Sequence, residues 1–333
     1  MCKSDRKLIP PTFDDVLTAY ARVCPYIHRT PVFSSRFVSS VAGAKLLFKC
    51  ENLQITGAFK ARGALNAVLG LENSAAKKGV ATHSSGNHAL ALAYAASLRK
   101  APCHVVMPRN ALLSKKHAAL DYGGKIVECE SSASARERML VKVLAEYGAE
   151  FIHPFNDARV IAGQGTCGLE FCSQAADLDA VVAPIGGGGL VSGVCIAFSE
   201  LAPATKIYAA EPKNADDAFR SIRAGRIISD DSPQTIADGL RVPITELTWK
   251  FVNSKLTDVL TVSEQSIVDA MKIVWQRMKI VIEPSSAVAL AAVLANSKLF
   301  ARKRVGIILT GGNVDLERLP WQRHFPASPR DLQ

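Results

Sequence analysis

Long apolar segments are missing from this 333-residue sequence, although 48% of its residues are hydrophobic. No run approaches the roughly 18 uninterrupted apolar residues that make a membrane-spanning helix. The amino-terminal stretch MCKSDRKLIPP has no apolar core of a secretory signal, and the final SPRDLQ matches no targeting or lipidation signal. We therefore expect a soluble, cytoplasmic protein with no membrane partner.

Cysteine pairs with metal-binding or redox spacing are also missing. The eight cysteines are scattered, no C-x-x-C occurs, and no cysteine stands at a zinc-like spacing from a histidine. Several lie in apolar runs such as LLFKC and VSGVCIAF. This pattern favours reduced, packed thiols in a cytosolic protein.

The sequence has few aromatic residues and no basic segment of the kind that binds nucleic acid. The net charge is +10, but the only tight basic cluster is Arg302, Lys303 and Arg304, and the 7% of aromatic residues are not interleaved with basic ones. We therefore expect no nucleic-acid partner. A solvated basic surface would still suit small anionic ligands.

Short apolar runs alternate along the chain with longer segments of helical period. Such alternation with short connections predicts an α/β fold in which helices cover mostly parallel sheets. The predicted strands are 46–50, 79–84, 103–108, 125–129, 180–185, 206–211 and 305–310, and the predicted helices include 88–100, 134–148, 189–202 and 266–279.

A Pro-Phe-Asn-Asp stretch at 154–157 separates two clusters of strands and helices. We predict a small domain at 71–157 and a large domain formed by 1–70 and 158–333. Ligands in such folds bind beyond the carboxyl ends of the strands, so the loops that follow strands are the informative ones.

A lysine lies on the apolar side of the helix predicted after the Thr56-Gly57 break. Lys60 shares a stripe with Ala64, Ala67, Val68 and Leu71. Its amine could reach water while its stem packs, or it could be held in a dry cleft for covalent chemistry. Arg62 lies on another side of the helix and is assigned no role.

Two loops that follow predicted strands are suited to anions. The first contains Ser84, Ser85, Gly86, Asn87 and His88, and its hydroxyls and free N–H groups suit a carboxylate. The second contains Gly186, Gly187, Gly188 and Gly189, and its backbone can approach a phosphate closely at a helix start. An ordinary N-cap would need only one serine, and a flexible turn would not need four glycines.

Two nucleotide-binding motifs can be compared with the glycine loop. No Gly-Lys-Ser/Thr follows it, which excludes a P-loop, and the third position of G-x-G-x-x-G falls on Val191 or Ser192. Glu211 nevertheless ends the next strand, where a ribose-binding acid would stand. A nicotinamide-binding protein therefore stays open as an alternative.

Two further segments give weaker signals. Thr310 and two glycines end the last predicted strand, although a turn would explain them. Glu211 and Asp217 are six positions apart, with the carbonyl of Ala215 between them, and hard cations take such oxygen ligands. From the spacing alone, a solvated acidic loop is the preferred interpretation.

Taken together, these segments resemble the fold type II pyridoxal-phosphate enzymes, and within them the serine racemases and serine/threonine dehydratases. The resemblance runs from about residue 10 to about residue 320. The segments that carry it are TGAFKARGALNA, THSSGNHA, HPFNDARVIAGQGT, PIGGGGLVSG, AAEPKNADD and LTGGNVDL.

The resemblance implies a two-domain fold with the cofactor between the domains, and a role for each motif. Lys60 would form the Schiff base beside Phe59, Asn87 would bond the ring hydroxyl, and Thr310 would lie at the pyridine nitrogen. The four glycines would hold the phosphate, and Ser84 to His88 the substrate carboxylate. Glu211, the Ala215 carbonyl and Asp217 would bind Mg²⁺, Ca²⁺ or Mn²⁺, and a homodimer is expected.

The sequence departs from the animal racemases at two places associated with nucleotide activation. Ile55 replaces their lysine, and Ala89-Leu90 replaces their Gly-Gln. These departures argue against activation by ATP. In addition, Ala58 replaces the serine usual before Phe-Lys, which removes one polar contact near the cofactor.

The activity implied by the resemblance is racemisation of serine, with β-elimination of serine to pyruvate and ammonia and slower elimination of threonine. Ser85 is the racemase choice and would act as the second catalytic group beside Lys60, whereas Phe155 gives a dehydratase-like His-Pro-Phe. A serine/threonine ammonia-lyase without racemase activity is therefore the nearest alternative.

Overall fold

The computed structural model describes residues 9–111, 113–230 and 233–322 of the chain. The strands are β1 (Val32–Ser34), β2 (Lys45–Cys50), β3 (Val80–His83), β4 (Cys103–Pro108), β5 (Lys125–Cys129), β6 (Glu150–Phe151), β7 (Ala180–Pro184), β8 (Lys206–Pro212), β9 (Asp258–Val262) and β10 (Arg304–Leu309). The α-helices are α1 (Phe13–Val23), α2 (Arg36–Ala42), α3 (Lys60–Leu69), α4 (Asn73–Lys78), α5 (Asn87–Arg99), α6 (Leu113–Asp121), α7 (Ala133–Tyr147), α8 (Ala158–Gln174), α9 (Gly189–Leu201), α10 (Asp217–Ala224), α11 (Glu246–Lys255), α12 (Glu264–Ile273), α13 (Pro284–Ala295) and α14 (Ser297–Phe300).

The strands form two separate sheets. The larger has six strands in the order β1-β2-β10-β7-β8-β9, and all its pairs are parallel except the edge pair β1–β2. The smaller is a parallel sheet in the order β5-β4-β3-β6. Because nearly all strands are parallel, their carboxyl ends meet at one edge of each sheet.

Alternate residues of the large sheet supply two different cores. Val182, Ala210 and Ile307 point into one buried cluster, and their neighbours Val181, Ala209 and Ile308 point into the other. The first cluster includes most of α13, and the second includes α9. Burial on both faces explains why these strands are continuous apolar runs rather than alternating ones.

The predicted α/β class is confirmed, and all seven predicted strands are present to within one residue at each end. Three strands were not predicted, namely β1, β6 and β9. The helix predicted at 266–279 is instead α12, which begins at Glu264 and continues as a π-helical turn, Val274–Met278, before Lys279 adopts a φ of 61°. The boundary at residue 157 stays a prediction.

No helix among the described residues is both long and apolar enough to cross a membrane.

Candidate active site

The segment that carries Phe59 and Lys60 pairs with the segment that carries Thr310, at the end of β10. Phe59 donates its N–H to the Thr310 carbonyl at 3.0 Å, and Gly312 donates to the Gly57 carbonyl at 2.9 Å. Ala58 and Gly311 form an antiparallel bridge between these bonds. Lys60, the first residue of α3, is thereby held at the carboxyl edge of the large sheet.

The Lys60 side chain is half-buried and points toward the loop that follows β6. Its Nζ donates to the Pro154 carbonyl at 2.8 Å and lies 5.0 Å from the centroid of the Phe59 ring. Burial lowers the pKa of this amine from 10.5 to about 8, and the charge of Glu283 partly opposes that change. The amine can therefore be deprotonated near neutral pH, as a nucleophile or base requires.

The serine loop connects β3 to α5 and is open to a ligand. Ser84, Ser85 and Gly86 are half-buried, and Gly86 donates its N–H to the Ser84 hydroxyl at 3.3 Å. Helix α5 begins after Gly86 without a side-chain cap. Its first N–H groups are therefore available to an anion, and the carboxylate site stays a prediction.

Asn87 lies in a hydrogen-bond chain that was not predicted. Its amide nitrogen donates to the Glu283 carboxylate at 2.8 Å, and its amide oxygen accepts from Asn313 at 2.9 Å. Asn313 also donates to the Thr56 carbonyl at 2.8 Å. These partners fix which way the Asn87 amide points and leave its second N–H to face a ligand.

Glu283 could not be found from local sequence, because it stands at the N-cap of α13. An acid at that position is explained by the helix dipole alone. Gly311 packs closely against Glu283, since a methyl group on Gly311 would lie 2.7 Å from the Glu283 carboxylate.

His88 is placed differently from its predicted role as a carboxylate ligand. Its ring is buried beneath the loop, and Nε2 donates to the Ile152 carbonyl at 3.1 Å. That bond leaves Nδ1 as a buried acceptor without a partner. Burial, and then the charge of Lys60, lowers the pKa of His88 to about 3, so the imidazole is neutral. Only its backbone lies in the loop.

The glycine loop joins β7 to α9, and Gly188 adopts a φ of 82° that favours glycine. A methyl group on Gly187 would lie 2.3 Å from the Phe155 ring, and one on Gly188 would lie 2.9 Å from Thr248. Helix α9 starts at Gly189 without a side-chain cap. The loop backbone therefore packs closely against Phe155 and Thr248, and the uncapped first N–H groups of α9 suit a phosphate.

The predicted metal ligands lie together at the end of β8. The Glu211 carboxylate accepts N–H bonds from Phe219 at 2.6 Å and Ala218 at 3.3 Å, and one Asp217 oxygen is buried without a partner. Burial raises the pKa of Glu211 to about 9 and that of Asp217 to about 6. A cation would offset the desolvation of both carboxylates and occupy the free oxygen. Ala215, between them, is buried.

Arg62 was assigned no role, and this was wrong in one respect, since its side chain is fully buried. Its guanidinium bonds both Glu51 and Glu170 beneath α3.

Comparisons with known proteins agree with this geometry. Residues 23–311 match the family model described as pyridoxal-phosphate dependent enzyme. A β-hydroxyaspartate dehydratase of Paracoccus denitrificans is 58% identical, covering 93% of this chain and 99% of that protein. A serine racemase of Arabidopsis thaliana is 49% identical, covering 90% and 92%. The structure of maize serine racemase superimposes with a TM-score of 0.91 at 46% identity, covering 93% and 95%.

The site also fits the cofactor of that family. The glycine loop offers a phosphate cradle, and Lys60 offers an amine with a lowered pKa. The nicotinamide alternative has no such support, because Glu211 is bonded to backbone N–H groups of α10. The chain belongs to the pyridoxal-phosphate-dependent enzyme family that includes serine racemases and dehydratases.

Proposed function

We propose that this protein eliminates water from β-hydroxy-α-amino acids, with serine as one substrate, and that it also racemises serine. The enamine left by elimination takes up water again as it hydrolyses, so that the net products are a keto acid and ammonia. The observation that carries the proposal is the Lys60 amine, which donates to the Pro154 carbonyl at 2.8 Å and whose pKa burial lowers to about 8. When bound, pyridoxal phosphate supplies an electron sink for negative charge at Cα.

The residues of this chain have separable tasks in that proposal. Gly186 to Gly189 would hold the phosphate, Asn87 would bond the ring hydroxyl with its second N–H, and Thr310 would bond the pyridine nitrogen. Lys60 anchors the cofactor, takes the proton from Cα on one face and gives a proton to the departing hydroxyl. The open serine loop binds the substrate carboxylate through its N–H and hydroxyl groups.

Racemisation needs proton transfer on both faces of Cα, whereas elimination needs proton removal on one face only. We assign the second face to Ser85, which is half-buried in the carboxylate loop. Ser85→Ala should abolish the formation of D-serine and elimination from D-serine, while elimination from L-serine persists. Continued formation of D-serine would limit Ser85 to carboxylate binding.

A second candidate substrate is β-hydroxyaspartate, and one observation favours it. Arg136 on α7 is half-buried, and no hydrogen bond or salt bridge of its guanidinium is found among the described residues. Its charge acts on His83, whose pKa is lowered by burial and then by Arg136. His83 directly precedes the serine loop, so a second carboxylate on the substrate could pair with Arg136.

Product analysis separates these possibilities. The purified protein is incubated separately with L-serine, D-serine, L-threonine and β-hydroxyaspartate, and the keto acid and D-serine are measured. We expect ammonia and one keto acid in equal amounts from each productive substrate, because elimination releases both. A preference for β-hydroxyaspartate without D-serine formation would support a dedicated dehydratase. No keto acid from any of them would contradict the proposal.

We also propose a divalent cation at Glu211, the Ala215 carbonyl and Asp217. The unpartnered Asp217 oxygen supports it, as does the bond pattern of Glu211, which leaves room for further oxygen ligation. The ion would join the end of β8 to the start of α10 without touching the substrate.

A further inference from the structure

Beneath α3 lies a buried cluster of four charged side chains, which we call the buried quartet: Lys49, Glu51, Arg62 and Glu170. All four are at most 2% exposed. Two positive and two negative charges balance within it. Such a cluster is costly to desolvate, so its formation depends on complete hydrogen bonding.

The bonding of Arg62 is complete. Nε and Nη2 donate to the two oxygens of Glu51 at 2.7 and 2.8 Å, and Nη1 and Nη2 donate to the two oxygens of Glu170 at 2.9 and 2.8 Å. Nη1 also donates to the Thr166 hydroxyl at 3.2 Å. All five N–H groups of the guanidinium therefore have acceptors, in a planar arrangement that only arginine can make.

Lys49 holds the other side of the quartet. Its Nζ donates to Glu170 at 2.6 Å, to Gln174 at 2.7 Å and to the Thr30 carbonyl at 3.0 Å. These bonds join β2 to α8 and to the segment before β1, and none of them goes to α3. Lys49 and Arg62 thus have the same charge and burial but hold different elements.

The position of Arg62 along α3 gives it a second consequence. It lies two residues after Lys60, in a helix whose first turn has no side-chain cap. The helix is also in backbone contact with α8, since a methyl group on Gly163 would lie 2.6 Å from the Arg62 carbonyl oxygen. Helix α8 begins just after Pro154, whose carbonyl accepts the Lys60 amine.

We infer that Arg62 is a positioning residue for Lys60, fixing the rotation and height of the first turn of α3 against β2 and α8. Glu51 and Glu170 grip the guanidinium from two sides and prevent the turn from rotating or sliding. The inference rests on the proposed role of Lys60 as the cofactor-binding amine. Arg62 acts only through Lys60 and contacts neither cofactor nor substrate.

Arg62→Met and Lys49→Met form a matched test, because each removes one fully buried positive charge from the same quartet. We expect both to lower the melting temperature. Only Arg62→Met should shift the pH titration of the bound cofactor's visible absorbance and lower kcat, on the order of 100-fold for a displacement of about 1 Å. KM should change less than kcat, because the carboxylate loop is untouched.

A milder pair covers the case in which either methionine variant fails to fold. Thr166→Val removes one of the bonds to Arg62, and Gln174→Leu removes one of the bonds to Lys49. We expect Thr166→Val to change the absorbance titration and kcat, by less than Arg62→Met does, and Gln174→Leu to leave both unchanged. Arg62→Lys keeps the charge but loses the planar fork, so it should not restore the absorbance titration of the unchanged protein.

These experiments distinguish a failure of the proposed function from a failure of the positioning inference. If borohydride fixes no cofactor on the Lys60 peptide of the unchanged protein, the proposed function is wrong. If it does, and the Arg62-side and Lys49-side variants then change absorbance and kcat alike, the quartet is only structural and the positioning inference is wrong.

Discussion

Among single residues, Lys60 matters most to the proposed chemistry, because its amine loses its proton near neutral pH. Lys60 has a pKa of about 8 instead of 10.5, chiefly because it is buried. The folded protein therefore releases this proton at lower pH than the unfolded chain does. Burying the charged amine lowers the free energy of unfolding. This loss of stability is fully present below about pH 8, and it disappears as the pH rises to 10.5.

The first prediction concerns the acylation of Lys60 in cofactor-depleted protein, followed by peptide mass spectrometry against pH. The modified fraction should rise with a midpoint near pH 8, because only the neutral amine reacts. Glu283→Gln should move the midpoint to lower pH, since the Glu283 charge raises the pKa of Lys60. A midpoint near 10.5, unaffected by Glu283→Gln, would contradict the assignment.

The second prediction concerns Arg136. Arg136→Gln should raise KM for β-hydroxyaspartate by at least about tenfold, the loss of roughly 1.4 kcal/mol for one charge-assisted contact. KM for serine should change little, because serine has no second carboxylate. Arg138→Gln, an exposed neighbour on α7, serves as the control. If Arg136→Gln changed KM equally for β-hydroxyaspartate and serine, Arg136 would have no role in substrate specificity.

The residues that sequence could and could not identify differ in a physical way. Lys60 and the glycines could be proposed from the sequence because an unusual residue type stood in a local pattern. Glu283 and Arg62 were missed because their roles come from partners far along the chain: Glu283 bonds Asn87, and Arg62 bonds Glu170. An acid at a helix start and an arginine on a helix are both common in local sequence, so neither residue indicates that it has a distant partner.

At the scale of elements, the loop from β7 to α9 shows how backbone shape makes a binding site. Gly188 and Gly123 both adopt a φ of 82°, but Gly123 has open space around it whereas Gly188 lies against Thr248. The two positions share the conformational requirement and differ in their surroundings. Substitutions at the two positions should therefore cause the same backbone strain, and only a substitution at Gly188 should affect ligand binding.

The third prediction uses this pair. Gly123→Ala and Gly188→Ala should each destabilise the protein by about 1–2 kcal/mol through the left-handed conformation, and Gly188→Ala by more because of Thr248. Only Gly188→Ala should weaken pyridoxal-phosphate binding, by tenfold or more, measured by titration of the visible absorbance. Unchanged cofactor affinity in Gly188→Ala would contradict the phosphate role of the loop.

The elements that were not predicted have weak local signals. Strand β1 has three residues at the sheet edge and β6 has two, so neither contains enough residues to show a period. The five residues of β9, DVLTV, contain two polar residues and do not alternate regularly, and they are a strand because they pair with β8. Long buried strands were predicted well, since burial on both faces leaves a continuous apolar run.

At the scale of the whole molecule, the proposed site takes its residues from segments around both sheets. The serine loop follows β3 of the small sheet, whereas Lys60, the glycine loop and Thr310 belong to segments around the large sheet. Asn87 crosses between them through Glu283 and Asn313. The order of the motifs along the chain indicated the family, whereas the hydrogen bonds of Asn87 to Glu283 and Asn313 could be seen only in the fold.

The fourth prediction concerns the global stability of this assembly. The acidic cluster at the end of β8 contains two desolvated carboxylates and an unpartnered oxygen, so a cation bound there should stabilise the folded state alone. At 100 times its Kd, Mg²⁺ should contribute about 2.7 kcal/mol, which corresponds to a rise in Tm of about 4 °C. Scanning calorimetry with chelator, Mg²⁺ or Ca²⁺ measures this shift. Asp217→Asn should abolish most of it, whereas Asp258→Asn, at the start of β9, should keep it. If Asp217→Asn responds to chelator and metal as the unchanged protein does, the cation binds elsewhere.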